Sequence, residues 1–192
     1  MDKVIQDFIA DVKSILVRNG AAESALSLLV ERMKKLVTHP EILSSHQAFV
    51  ESPQTNQYKD TGRRSSILYT DESGLTLVRS YFDPHQPTPV HSHSTWGVVG
   101  IYAGRDIHKR YRRLDGGTGA GIAKLELVEE NILEPGDVVT IPHPPHDIHS
   151  QQGQGGKPCY ELVLFGSNAM VVPRLVFDLE QNTARKVIPG QK

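Results

Sequence analysis

Apolar residues recur at helical spacing through the first part of the chain and at every second position through most of the rest. Val4, Ile5, Phe8, Ile9, Val12, Ile15 and Leu16 form one stripe that stops at Asn19-Gly20. Leu26, Leu29, Val30, Met33, Leu36 and Val37 form a second. Apolar positions three and four apart predict amphipathic helices, and an asparagine-glycine pair is a helix stop. Pro40 opens a third, short helix that Ile42 to Val50 would carry. Ser52 to Gly62 is polar, with Pro53, Asn56 and Gly62, and reads as a connecting loop.

From Arg63 the period becomes two. Ile67 to Tyr69 and Leu75 to Phe82, joined by Asp71-Glu72-Ser73-Gly74, predict a hairpin. Further strands are expected at Val98 to Tyr102, Ile107 to Arg112, Ala123 to Val128, Val138 to Ile141, Tyr160 to Phe165 and Leu175 to Asp178. Short strands between turns predict a mainly β barrel or sandwich rather than alternating β-α units. The chain therefore divides into an N-terminal helical segment, residues 1–62, packed on a β barrel, residues 63–192. The glycines at 116, 117, 119 and 121 mark a turn. They have neither the following helix nor the lysine of a nucleotide-binding loop.

Composition narrows the function classes. A net charge of −1 over 192 residues gives no reason to expect nucleic acid or an anionic membrane as partner. No apolar run reaches membrane-spanning length. The mixed charges at the start (Asp2, Lys3, Asp7, Asp11, Lys13) are not those of a signal peptide. Cys159 is the single cysteine, so no internal disulfide can form, and a reducing, cytoplasmic location is expected. Oligomeric state leaves no trace in the sequence.

The chemistry concentrates in histidines. His91-Ser92-His93 precedes a glycine-punctuated strand, and imidazoles two apart on a strand point to one face, roughly 6–7 Å apart along the backbone. Both can reach one metal ion. His143, His146 and His149 follow the Glu134-Pro135-Gly136-Asp137 turn. His149 is the expected third ligand. His146 is the alternative, three residues away and so on the opposite face of an extended strand. His143 sits between prolines, on a loop. His39, His46, His85 and His108 read as surface or capping residues.

These motifs resemble those of the cupins, double-stranded β-helix proteins whose first motif carries H-x-H and a closing glycine and whose second carries glycine, proline and histidine. Here they read His91-Ser92-His93-Ser94-Thr95-Trp96-Gly97 with Gly104, and Gly136, Pro142 and His149. Gly97 stands where a cupin glutamate is usual, and this narrows the resemblance to cysteine dioxygenase and related bacterial thiol dioxygenases, which bind iron with three histidines. Thr88-Pro89-Val90-His91-Ser92-His93, Trp96 to Gly100, Leu133 to Val138 and Asp147-Ile148-His149 all look like segments of that subgroup. The similarity runs from about residue 63 to 188. The first sixty residues share only a helical character.

The resemblance implies a metal site of His91, His93 and His149, with iron(II) as the metal and zinc, nickel or cobalt as the other ions that imidazoles take. Three neutral ligands leave the ion its full charge, so an anionic substrate donor such as thiolate or carboxylate is expected beside O2. It also implies Arg64 on an early strand as the holder of a substrate carboxylate. The family's Ser, His and Tyr on the late strand fall at Glu161, Val163 and Phe165. That change argues against cysteine or mercaptopropionate as substrate and leaves Glu161 as the candidate base. In a register shifted by one, Tyr160 would face the pocket instead. The expected activity is an iron(II), oxygen-dependent dioxygenase of a small anionic, thiol-type metabolite. The alternatives are a metal-binding cupin with non-oxidative chemistry and a non-enzymatic protein that binds or senses a metabolite.

Overall fold

The computed structural model describes residues 2–20, 23–51, 56–58, 63–168 and 171–188. Four helices lead the chain: α1 (Asp2–Asn19), α2 (Glu23–Val37), α3 (Pro40–Ser44) and α4 (His46–Glu51). The strands follow as β1 (Asn56–Tyr58), β2 (Arg63–Thr70), β3 (Thr76–Phe82), β4 (Val90–His91), β5 (Gly97–Ala103), β6 (Asp106–Arg113) and β7 (Gly121–Ile122). The remainder are β8 (Leu125–Leu133), β9 (Val138–Ile141), β10 (His149–Gly153), β11 (Cys159–Phe165), β12 (Arg174–Asp178) and β13 (Thr183–Val187).

The single helix expected from Pro40 is two short ones. His39 caps α3, its Nδ1 accepting from the Glu41 amide at 3.2 Å. Of the loop expected over 52–62, only Asn56–Tyr58 is described, and it is a strand paired with β2. The other strands that the period missed are β4, β7, β10 and β13. Two are only two residues long, and β10 reads His-Ser-Gln-Gln-Gly, with no apolar alternation to see.

Two antiparallel sheets face each other. One has six strands in the order β1-β2-β3-β11-β5-β9, the other seven in the order β7-β13-β12-β4-β10-β6-β8. Neighbours far apart in sequence, such as β3 with β11 and β4 with β10 and β12, wind the chain back and forth between the sheets. This is the cupin-type double-stranded β-helix, preceded by a helical segment. Val78, Phe82, Val99, Ile101, Ile141, Val163 and Phe165 fill the space between the sheets.

The helices cover the outside of the six-stranded sheet. Leu26, Leu29, Met33, Leu36 and Val37 of α2, with Val12 and Ile15 of α1, join Leu77, Val98, Leu162 and Leu164 in one apolar cluster. Gly100 permits the close approach: a Cβ there would meet Met33 Cγ and Val37 Cγ1 at 2.7 Å. The six-stranded sheet is therefore buried on both faces, which is why β5 and β11 are almost wholly apolar. Among the described residues no helix is long and apolar enough to cross a membrane.

Candidate metal centre

The site is built where β4 and β10 pair. His91 lies directly opposite His149 in that ladder. His93 follows on the same face after the strand ends. The three rings are 2–6% exposed and their nitrogens lie within 4.8 Å of one another. His93 Nε2 and His149 Nε2 are 2.8 Å apart. Two ligands each about 2.1 Å from one ion, at a right angle, stand roughly 3 Å apart, so the spacing fits a shared divalent metal.

Outer partners hold the rings. The Pro89 carbonyl takes His91 Nδ1 at 2.9 Å, leaving Nε2 for an ion. His149 Nδ1 faces His108 Nε2 at 3.4 Å. His108 Nδ1 in turn lies 3.3 Å from Asp106 Oδ2, close enough for electrostatic contact but off the line of a hydrogen bond. Asp147 staples the two motifs together: its Oδ2 accepts from the amides of His93 and Ser94, both at 2.8 Å. Burial pushes its carboxyl above the usual range, and the two amides pull it partly back. Geometry and donor chemistry both fit a metal held by three neutral imidazoles.

The cavity beside the rings is small, about 10 Å³, roughly the space of one water-sized sphere. Its other walls are Phe82, Val99, Ile141, Val163 and Phe165, together with Gln151 and Glu161. Phe165 lies over His93, ring centroids 4.7 Å apart. Gly97, where the resemblance would place a glutamate, is closely packed. A Cβ there would meet Phe165 Cδ1 and Ile141 Cδ1 at 3.2 Å and the Leu164 carbonyl at 3.1 Å.

Glu161 faces this cavity and is 1% exposed. Gln151 donates to Glu161 Oε2 at 2.6 Å and to Asp106 Oδ2 at 3.1 Å, so one amide bridges two buried carboxylates. Tyr160 points the other way, against His46 and Tyr81. Successive residues of a strand face opposite sides, and β11 keeps a regular register with β3 through both.

The structure does not bring Arg64 to the site. It pairs with Tyr81 across β2 and β3, and its guanidinium lies 4.1 Å from the Tyr81 ring centroid, on the helix side. His146 and His143 are exposed and outside the cluster. Cys159 is buried, and burial, then Asp106 and Glu161, push its thiol well up, so it is a protonated core residue.

Two of the remaining histidines depart from the expectation: His46 is half-buried against Tyr102 and Tyr160, and His108 is 3% exposed and stands behind a ring of the cluster, neither surface nor cap. The alternation of the sequence pointed the other way. In β6 the buried positions are Asp106 and His108 while Ile107 is partly exposed, an inversion of the usual alternation. Asp106 and Gln151 were missed for the same reason.

No family model matches the chain. Among solved structures it is similar to an oxalate oxidase, with 22% identity and a TM-score of 0.46 over 59% of this chain and 55% of that one. It is similar to a cupin-like protein from Thermotoga maritima, with 16% identity and a TM-score of 0.41 over 72% and 87%. The oxalate decarboxylase of Lactobacillus farciminis, in its formate complex, gives 14% identity and a TM-score of 0.45 over 64% and 33%. The chain spans about half the length of the oxalate oxidase structure it matches. These overlaps are partial. The class of the protein, a cupin-fold barrel with a three-histidine cluster able to hold a divalent metal, rests on its own sheets, registers and rings.

Proposed function

We propose that this protein is a metal-dependent enzyme, an iron(II) dioxygenase that uses O2 on a small metabolite bound through a deprotonated atom such as a thiolate sulfur. The observation that carries the reading is the convergence of His91, His93 and His149, three buried imidazoles with no carboxylate among them. Such a donor set suits iron(II), with zinc, nickel and cobalt as the other ions it accepts. The bound ion supplies redox and Lewis-acid chemistry and a template for two small ligands. The chain supplies the rest. Phe165, Val163 and Ile141 exclude bulk water, and Glu161 takes the proton that the substrate atom releases on binding. That transfer keeps the charge of the closed cavity constant.

Metal content of the purified protein, followed by oxygen consumption of the iron-loaded protein across small thiols, tests the proposal. One metal per chain with oxygen uptake is expected. Metal binding without uptake on any thiol overturns the dioxygenase and leaves the metal site. A second reading is favoured by Glu161 itself: a buried carboxylate beside a metal serves as acid or base in non-oxidative chemistry as readily. Turnover by the zinc-loaded protein in the absence of oxygen would establish that one.

A further inference from the structure

The rings of the cluster are held in unlike ways. His91 Nδ1 lies 2.9 Å from the Pro89 carbonyl, which can only accept, so that contact by itself puts the hydrogen on Nδ1 and leaves Nε2 bare. The contact of His149 Nδ1 is with another imidazole, His108 Nε2, at 3.4 Å. An imidazole nitrogen either donates or accepts, so this contact by itself allows His149 both tautomers. In one of them the hydrogen sits on Nε2, and the nitrogen that faces the cluster has no lone pair for an ion.

A third group settles the choice. Asp106 is fully buried, and both its oxygens are acceptors: Oδ1 takes the Gln152 amide and Oδ2 the Gln151 side chain, each at 3.1 Å. His108 Nδ1 lies 3.3 Å from Oδ2. Even off the line of a hydrogen bond, an N–H end is attracted to that oxygen and a bare nitrogen is repelled by it. His108 and His149 are both buried, so bulk water does not compete for these nitrogens. Neutral His108 therefore carries its hydrogen on Nδ1, its Nε2 accepts, and His149 donates from Nδ1. His149 Nε2 is left bare, facing His93 Nε2 at 2.8 Å. We propose that Asp106, acting through His108, sets the tautomer of His149, so that His108 is a positioning residue that prepares this ring for a metal before the ion arrives. The inference rests on the reading that the three histidines hold a metal.

The test reads the ring nitrogens directly, by nitrogen NMR of the isotope-labelled full chain, metal-free and above neutral pH. Both His108 and His149 should show a hydrogen on Nδ1 and a bare Nε2, although free histidine favours the hydrogen on Nε2. His108→Leu should return His149 to a hydrogen on Nε2 and lower zinc affinity by about 10–100-fold. His108→Gln, whose side-chain oxygen can accept from His149 Nδ1, should recover most of that affinity, which a merely space-filling role would not allow. A hydrogen on His149 Nε2 in the wild type, a His108 bearing two hydrogens, zinc affinity unchanged in His108→Leu, or His108→Gln no better than His108→Leu would each overturn the inference. The wild-type spectrum decides even where a variant fails to fold. Zinc stoichiometry is measured alongside. A wild-type protein with these tautomers that binds no zinc at the histidines overturns the metal reading itself, whereas a zinc-binding protein with the hydrogen on His149 Nε2 before loading overturns only the role of His108.

Discussion

Strand β11 shows two unlike faces to the molecule. Tyr160, Leu162 and Leu164 turn outward into the cluster with the helices, while Cys159, Glu161, Val163 and Phe165 turn inward to the cavity and the space between the sheets. Both faces are fully buried. The outer face is one part of a broad apolar contact shared by many residues, so its work is adhesion and its chemistry is interchangeable. The inner face is narrow and particular: one carboxylate with a fixed partner, one ring laid over a histidine, one valine. Burial alone does not distinguish a wall that holds the fold from a wall that shapes a site. Polar partners do.

The sharpest break between the faces is at the rings themselves. His91→Ala, His93→Ala and His149→Ala should each lower metal affinity at least about 100-fold, measured by metal analysis after dialysis, because each removes a ligand outright and not merely an outer partner. His146→Ala should leave occupancy unchanged. Next comes Glu161→Gln, which should cut turnover by about 10²–10⁴, the usual worth of a proton-transferring group, with metal content nearly intact. Equal losses of turnover and metal would make Glu161 a structural support.

Packing changes are expected to be smaller and to differ in kind. Phe165→Ala on the inner face and Leu162→Ala on the outer face should each destabilise the protein by roughly 2–5 kcal/mol in urea unfolding. Only Phe165→Ala should alter the spectrum of bound cobalt, since Phe165 alone lies against a ring. Introducing a carboxylate as Gly97→Glu should cost about 1–3 kcal/mol by overpacking against Phe165 and Ile141 and bring no gain in metal affinity.

The smallest effect lies at the outer rim, where Lys13 of α1 meets Asp71 at 2.7 Å. The Lys13 ammonium, then Ser73, holds the Asp71 carboxyl well below its ordinary value. A depressed carboxyl stabilises the fold above its ordinary pKa of about 3.9, and that stability is lost as pH falls through the lower folded value. Lys13→Met should therefore lower stability slightly at neutral pH, and its difference from the wild type should vanish as pH falls through the acid limb. The pair is solvent-accessible, and screening keeps its contribution small.

Much of the candidate site was legible in the sequence because its histidines sit in short local patterns. H-x-H on an extended segment and D-I-H after a turn pointed to His91, His93 and His149, which the structure brings together, while the exposed His143 and His146 lie outside the cluster. The hairpin of β2 and β3 was equally plain, since a turn cluster separates two runs of period two. The doubly buried strands were legible as strands but not as faces. Tyr160 and Glu161 could not be told apart by alternation, because both sides of β11 are covered and the register shift lies between them. Asp106, His108 and Gln151 were hidden for a different reason. They act through partners 10 to 45 residues away, and no local pattern encodes a contact of that length.

The staple formed by Asp147 joins residues 54 positions apart, and the contact between His93 and His149 spans 56. Contacts of such sequence separation form late and slowly in a folding chain. Until β10 has docked beside β4, His91 and His93 lack the third imidazole of the cluster. Capture of an ion at this cluster would thus be a certificate of completed topology: a chain threaded wrongly, or halted before its last third, would not bring the three histidines together.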